Sequence, residues 1–146
     1  MKFKMLGSNR IVSKNLDKFR IDWDEAIRRG PKGQFGKFQF EVKKLLRPFW
    51  ENHIVYEEVP VVAKIGQRGK SVDLLNLTTR QIIEVQGKAH GEYVPGFFHK
   101  NRFDYLKQIK RDEFKKEWAR INDFDFFEIF EDDELNIKLL EKLDII

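Results

Sequence analysis

The chain has 146 residues, which is enough for one domain with a hydrophobic core but too few for two domains of ordinary size. An apolar fraction of 41%, with 14 Phe and 3 Trp, predicts a folded protein, and the lack of cysteine excludes disulfides and thiolate metal sites. The sequence has no apolar run of membrane-spanning length and no signal-peptide pattern, so we expect an intracellular, cytoplasmic protein without a membrane partner.

Charge is distributed unevenly along the chain, although the formal net charge is only +4. Residues 1–37 carry ten Lys or Arg against four Asp or Glu, whereas residues 123–146 carry nine acids against two lysines. A basic body with an acidic C-terminal segment suits a polyanionic partner that is held away from that segment. Many basic domains bind no nucleic acid, so charge alone does not identify the partner.

The first 36 residues are predicted to form an irregular basic arm, with one short helix around Asp24–Arg29 and a loop at Arg29–Gly36. The main domain is expected to span residues 37–146. Apolar residues at helical spacing in Lys37–Trp50 predict an amphipathic helix that ends near Pro48.

The elements after this helix predict a layered α/β domain. Ile54–Lys64 is typical of a strand, in which Pro60 indicates an edge or a bulge. A turn at Gly66–Gly69 leads into a β-hairpin over residues 72–90, which a loop at Gly91–Gly96 follows. A long amphipathic helix, a strand and a terminal helix complete the chain at Asn101–Asn122, Asp125–Phe130 and Glu134–Leu143. This order predicts a mixed β-sheet flanked by helices.

Two acidic residues of the hairpin are predicted to face each other. With Thr78-Thr79 as a two-residue loop, Leu77 pairs with Arg80, and the same register places Asp73 opposite Glu84. Facing carboxylates repel each other unless a proton or a cation lies between them. A divalent cation such as Mg²⁺ or Mn²⁺ favours carboxylate oxygens, so the pair is a candidate metal site.

Asp73 and Glu84 also have a plain structural explanation. Both carboxylates would face solvent if the hairpin belonged to a half-exposed sheet, with Val72, Leu74, Ile83 and Val85 on the opposite, apolar face. Strands are depleted in Asp and Glu, however, and Glu84 lies in a segment that is apolar enough for a central strand. These two features favour a functional pair.

Four further residues are candidates for the same site. Gln86 and Lys88 follow Glu84 on the same strand face, as a neutral ligand and as a cation that reaches a phosphate, although Lys88 taken alone is a typical surface lysine. His90 is either a base or leaving-group acid, or a surface histidine in a loop. Glu41, on the first helix, either faces solvent or reaches the same metal ion. Two acids with a lysine nearby suit phosphodiester cleavage.

Basic residues in the N-terminal segment and on the long helix are candidates for phosphate contacts. These residues are Arg28, Arg29, Lys32, Lys37, Lys110, Arg111 and Lys115. Asp112 and Glu113 stand beside the helical residues, so charge pairing within the helix is the alternative. Several phosphate contacts would make DNA binding strongly salt-dependent.

The acidic residues resemble the catalytic pattern of the PD-(D/E)XK nuclease superfamily. In that pattern an acid on one strand precedes acid-x-Lys on the next strand, and a glutamate lies on the preceding helix. Asp73, Glu84 and Glu41 match the three acids, whereas Gln86 stands where the lysine is expected and Lys88 lies two residues further on. The resemblance implies a restriction-endonuclease-like fold, with Mg²⁺ or Mn²⁺ held by the three acids.

The chain is more closely similar to the very-short-patch-repair-like branch, which includes phage homing endonucleases, over roughly residues 37–133. It has Asp73, then Gln86-Gly87 with His90, then Arg111-Asp112 and a last strand at Phe126–Glu131. The branch implies that His90 supports the attacking water or the leaving group, and that a basic N-terminal arm contacts DNA. It also implies a phage-encoded enzyme that works inside a host cell.

The residues and the resemblance together lead us to expect a metal-dependent endonuclease that hydrolyses phosphodiester bonds in double-stranded DNA, of the phage homing or nicking type. A domain this small reads a long site only as a homodimer or with its arm in a groove. The alternatives are a non-catalytic DNA-binding module on a nuclease fold, a branched-DNA (junction) resolvase, and a protein-interaction role for the acidic C-terminal segment.

Overall fold

The computed structural model describes residues 1–31, 33–64, 69–87 and 102–146, with side chains from residue 36 onward in the second helix and from residue 110 onward in the third. Strands and helices follow one another in chain order as β1 (Lys2–Lys4), β2 (Ile11–Ser13), a short 3-10 helix (Asp17–Phe19), α1 (Trp23–Arg29), α2 (Gly33–Trp50), β3 (Val55–Val62), β4 (Lys70–Asn76), β5 (Gln81–Gln86), α3 (Arg102–Ile121), β6 (Asp125–Phe130) and α4 (Ile137–Lys142). The predicted loop at residues 91–96 and most of the predicted turn at residues 66–69 lie outside the described residues.

The main sheet has the strand order β3-β4-β5-β6. The first three strands are antiparallel neighbours, whereas β6 lies parallel to β5 because α3 returns the chain to the same end of the sheet. β1 and β2 form a separate two-stranded antiparallel sheet. The prediction of an α/β fold with a mixed sheet and flanking helices is confirmed.

The β4–β5 hairpin has the register that the sequence predicts. Leu74 pairs with Ile83 and Leu75 with Ile82, and Asp73 and Glu84 are the residues directly beyond this end of the ladder. The connection is longer than the predicted two residues, since the turn spans residues 77–80 and Arg80 takes a positive φ of 59° to close it. The register is unchanged because the turn is lengthened equally on both strands.

Pro60 lies where both sequence predictions for it are met. β3 is an edge strand, and Pro60 is not among its residues that pair with β4, so the ladder does not need the N–H that proline lacks. The pairing of β3 with β4 also shifts between Val59 and Val62, which is the irregularity that the sequence indicates.

The helices cover the sheet from two sides and bury two apolar clusters. The α2-side cluster joins Val42, Leu46 and Trp50 of α2 to Leu74, Ile83, Val85, Ile129 and Leu140. The α3-side cluster joins Trp118 and Ala119 of α3 to Leu75, Ile82, Phe124 and most of the buried residues of β3. Adjacent residues Leu74 and Leu75, like Ile82 and Ile83, therefore point to opposite covered faces, and every residue of β5 is buried.

The first long helix begins and ends beyond its predicted limits. Val42, Leu46 and Trp50 lie on the buried side, whereas Phe49 is 36% exposed; Pro48 is inside the helix, which continues to Trp50. Trp50 is 1% exposed, and its burial beneath the sheet holds the last turn in helical form although Pro48 lacks an N–H for the backbone ladder. The predicted end near Pro48 is therefore two residues short.

The N-terminal segment is packed against the domain, so the prediction of an irregular arm is wrong. Phe3, Leu6 and Leu16 are buried in the α3-side cluster, and Trp23 and Ala26 of α1 are buried in the α2-side cluster. The predicted short helix at Asp24–Arg29 is present as α1, whose first turn is capped by the Asp22 side chain. Apolar residues alternate with basic residues in this segment, so the basic composition does not exclude a packed structure.

Asn122, just after α3, ties the N-terminal strand to the rest of the fold. Its Oδ1 accepts from the Lys4 amide at 2.6 Å, and its Nδ2 donates to the Lys4 carbonyl at 3.1 Å.

Among the residues that the structure describes, no helix combines the length and the apolar character needed to cross a membrane.

Candidate active site on the central strands

Asp73 and Glu84 lie side by side on neighbouring strands, on the face that α3 covers. They lie directly beyond Leu74 and Ile83, the last pair of the β4–β5 ladder, and their carboxyl groups are close enough to hydrogen-bond to each other. Asp73 is half-buried, and Glu84 is only 4% exposed. The solvent-facing alternative for this pair is wrong, because both faces of β5 are covered.

The backbone of β5 fixes the orientation of Asp73. Its Oδ2 accepts a hydrogen bond from the Val85 amide at 2.8 Å, across the strand boundary. A carboxylate that accepts from a backbone N–H is held in place without losing its charge. This bond leaves the second oxygen of Asp73 to face Glu84 or a cation.

Burial and mutual repulsion change the pKa of both acids. Desolvation raises the pKa of Asp73, and desolvation together with the charge of Asp73 raises the pKa of Glu84 to about 8. A hydrogen bond between two carboxyl groups requires a proton on one of them, and the higher pKa places that proton on Glu84. Near neutral pH the pair therefore holds one proton and one negative charge.

Lys115 is the cation of this site. Its Nζ lies 3.3 Å from Glu84 Oε1, and its side chain is 16% exposed. The ammonium group lowers the pKa of both acids, which opposes the effect of burial. The sequence predicts Lys115 as a phosphate contact or as a partner in charge pairing within the helix, whereas the structure turns it toward Glu84 on the sheet.

The acid pair belongs to a row of four acids, one on each strand of the main sheet. Glu84 pairs directly with Glu128 of β6, and Glu58 of β3 lies across from Asp73, between the pairs Glu57–Leu74 and Val59–Val72. Glu128 pairs with Lys116 at 2.7 Å, so adjacent lysines of α3 meet acids of adjacent strands. Glu58 is exposed, has a positive φ of 46°, and its charge raises the pKa of Asp73.

Glu41 is not brought to the acid pair. It is exposed on α2, whose buried residues pack on the face of the sheet opposite Lys115. Among the described side chains, no three acids or histidines converge as they would around a metal ion. The prediction of Glu41 as a third metal ligand is therefore wrong. Val42 and Leu46 form the buried side of α2, and Glu41 lies on its exposed side.

Gln86 lies two residues beyond Glu84 on the same strand and is 8% exposed. The pleat directs its side chain to the same face as Glu84, as the sequence predicts. Its backbone carbonyl accepts from the Glu131 amide at 3.1 Å, which extends the β5–β6 connection past the end of the strands.

The predicted phosphate contacts are divided between two sides of the sheet. Lys110 and Arg111 are exposed on α3, before Lys115. Arg28 and Arg29 lie on α1, which packs against α2 on the opposite side, and Arg28 pairs with Glu25 at 2.6 Å. Lys37 is exposed on α2, so these N-terminal residues do not join the α3 residues in one surface.

Three predicted site residues, Lys32, Lys88 and His90, lie outside the described residues. Their predicted roles stay predictions.

The site residues that sequence reasoning missed come from elements distant in the sequence. Glu58 and Glu128 enter the acid row only through the pairing of β3 with β4 and of β6 with β5. The polar positions within the apolar strands β3 and β6 were the available signal. Comparison of the chain with protein-family models, with curated proteins and with solved structures gave no match.

Proposed function

We propose that this chain is a metal-dependent DNA endonuclease that hydrolyses phosphodiester bonds. The observation that carries the proposal is the pair of the half-buried Asp73 and the buried Glu84, with Lys115 3.3 Å from Glu84. Desolvation of these two acids on adjacent central strands raises their pKa values and costs folding free energy. Acids with strongly shifted pKa values cluster at functional sites. The resemblance to PD-(D/E)XK nucleases in Asp73, Glu84 and their spacing supports the same activity.

The donor atoms at the site suit Mg²⁺ or Mn²⁺. Mg²⁺ is commonly held by one or two carboxylates together with water and substrate phosphate, so Asp73 and Glu84 suffice without a third acid. The cation would replace the proton that Glu84 holds, which relieves the repulsion between the two carboxylates. When bound, the ion would acidify an attacking water and stabilise negative charge on the phosphoryl group.

The residues around the pair then have distinct roles. The Val85 amide holds the Asp73 carboxylate in one orientation, and Asp73 and Glu84 would hold the cation. Lys115, 3.3 Å from Glu84, would place a positive charge beside a phosphate bound at the pair. Gln86, on the same face, is a neutral donor for a water or a phosphate oxygen, and Lys88 and His90 keep their predicted supporting roles.

A non-catalytic DNA-binding module is the second candidate. One proton and the ammonium group of Lys115 already balance the charge of the acid pair, and no third acid joins it among the described residues, as expected of a site that serves the fold rather than a metal ion. In this case the exposed Lys110 and Arg111 would contact double-stranded DNA while the acid pair serves the fold alone.

Nicking of supercoiled plasmid DNA with Mg²⁺ or Mn²⁺ tests the proposal. Asp73→Ala should lower the cleavage rate about 100-fold or more, since it removes a group that acts at the reacting phosphate. Lys115→Met should also lower it, about 10-fold or more, by removing stabilising charge. Asp132→Ala and Lys116→Met are matched controls, because Asp132 is exposed and Lys116 meets Glu128 rather than Glu84.

Two outcomes would count against the proposal. Cleavage that is unchanged in Asp73→Ala would show that the site is elsewhere. DNA binding without cleavage in either metal would favour the binding module.

A further inference from the structure

Two lysines meet over one aromatic ring beside the acid pair. The ammonium nitrogens of Lys64 and Lys70 lie 5.6 and 5.7 Å from the ring centroid of Phe114. Lys64 follows β3, Lys70 begins β4, and Phe114 lies on α3 directly before Lys115. We refer to these three residues as the two-lysine cluster.

The two-lysine cluster holds two like charges together, and no described acid neutralises them. Neither Lys64 nor Lys70 has a carboxylate within ion-pair distance among the residues that the structure describes. The negative face of the Phe114 ring attracts both ammonium groups, which offsets part of their repulsion. Lys64 is exposed and Lys70 is half-buried, so an external anion can reach the pair.

The cluster lies close to the candidate active site. Lys70 is three residues before Asp73 on β4, and Phe114 precedes the lysine that contacts Glu84. Its ring packs against the same apolar cluster that contains Leu75 and Ile82, the inward neighbours of Asp73 and Glu84 on the α3-covered face. A polyanion bound here would therefore pass the acid pair.

We propose that the two-lysine cluster binds phosphate groups of duplex DNA next to the phosphodiester bond at Asp73 and Glu84. This inference rests on the proposed function, because the DNA substrate supplies the phosphates. The cluster would set the path of the strand, and the acid pair would act on it. The two ammonium groups have no acidic partner among the described residues. A phosphate backbone, which carries one charge per nucleotide, can occupy both of them at once, unlike a single small anion.

Equilibrium binding of a fluorescent DNA duplex, measured by anisotropy in EDTA over a range of salt concentrations, tests this inference. The double variant Lys64→Gln/Lys70→Gln should bind more weakly, and the slope of log affinity against log salt should fall by about 2, since each phosphate contact contributes about 0.9. The control Lys138→Gln/Lys142→Gln removes the same charge from exposed positions on α4, behind the other face of the sheet, and should keep the slope.

Two further variants guard against loss of folding. Lys64→Arg/Lys70→Arg keeps both charges and their contact with the ring, so it should keep the slope of the unaltered chain. Each single Gln variant should lower the slope by about 1. Thermal unfolding of every variant shows that the compared chains are folded.

A slope that falls equally in the control, or that does not fall in the cluster variant, overturns the inference. Because EDTA removes divalent metal, this result does not depend on cleavage. A slope change in a chain that never cleaves DNA would overturn the endonuclease and leave the cluster as a DNA contact. Cleavage without a slope change would support the endonuclease and overturn the role of the two-lysine cluster.

Discussion

Glu84 carries an ionisable group on the central strand of a sheet that is covered on both faces. Burial beside Asp73 raises its pKa to about 8, from an ordinary value of 4.5. The folded protein therefore binds a proton that the unfolded chain releases between these two values. Because the folded state binds this proton more tightly than the unfolded chain does, the folded state is most stable relative to the unfolded chain below pH 4.5. This advantage is lost as the pH rises through about 8.

The free energy of unfolding should fall with rising pH across this window in the metal-free protein, by at most about 1.4 kcal/mol per pH unit for one proton. Glu84→Gln should flatten this dependence, because an amide neither takes up nor releases the proton. The variant should be close to the unaltered chain near pH 5 and more stable at pH 8.5. Urea unfolding in EDTA at several pH values measures the difference.

Glu113→Gln is the matched control for this measurement, since Glu113 is exposed on α3. It should leave the pH dependence unchanged. Parallel pH profiles for Glu84→Gln and the unaltered chain would contradict the pKa of Glu84. The charges that face Glu84 are those of Asp73 and Lys115, while Glu58 acts through Asp73.

At the residue scale, the sequence predicted what local alternation decides. Asp73 and Glu84 face each other because a hairpin register follows from its turn and from the two-residue period of strands. The contact of Lys115 with Glu84 depends on how α3 lies across the sheet, which no local pattern encodes. The prediction of Glu41 as a metal ligand is wrong for the same reason, since the rotation of α2 about its axis follows from the packing of Val42 and Leu46.

At the scale of elements, periodicity located the strands well and the helix ends less well. β6 spans the predicted residues Asp125–Phe130, because a short apolar run between acidic segments has sharp limits. The terminal helix is shorter than predicted, since Asn136 caps α4 and its side chain accepts from the Leu139 amide. Capping contacts of this kind act over single residues, where periodicity has no resolution.

The role of α4 in covering the sheet leads to a prediction for this element. Leu140 is fully buried in the α2-side cluster, whereas Ile137 on the same helix is 49% exposed. Leu140→Ala should lower the free energy of unfolding by about 2–5 kcal/mol, through lost burial and the cavity left behind. Ile137→Ala should change it by no more than about 0.5 kcal/mol.

Chemical denaturation of these two variants measures both values. Equal small effects would mean that α4 does not pack against the sheet. Equal large effects would mean that the helix presents a different side to the core.

At the scale of the whole molecule, the N-terminal segment is part of the structure that supports the site. Phe3 packs edge-on against Trp118 at a centroid distance of 5.6 Å, and Trp118 lies one turn after the pair Phe114 and Lys115. Phe3→Ala should therefore lower the free energy of unfolding by about 3–5 kcal/mol. Ile11→Ala, on the partner strand and 61% exposed, should have little effect.

Thermal or urea unfolding of this pair distinguishes a packed segment from an arm. If Phe3→Ala and Ile11→Ala were equally harmless, residues 1–14 would behave as the appended arm that their charge suggested. The charge pattern misled because Lys2 and Lys4 flank Phe3 on a strand, and alternation hides a buried residue among exposed lysines.

Asn122 has a consequence for how the protein meets other chains. The Lys4 N–H and C=O point away from β2 and would form an open strand edge, which is a template for strand addition and aggregation. The amide side chain of Asn122 occupies both groups, as a peptide unit of a neighbouring strand would. A single side chain thus acts as a surrogate strand and closes the outer edge of the small sheet against foreign chains.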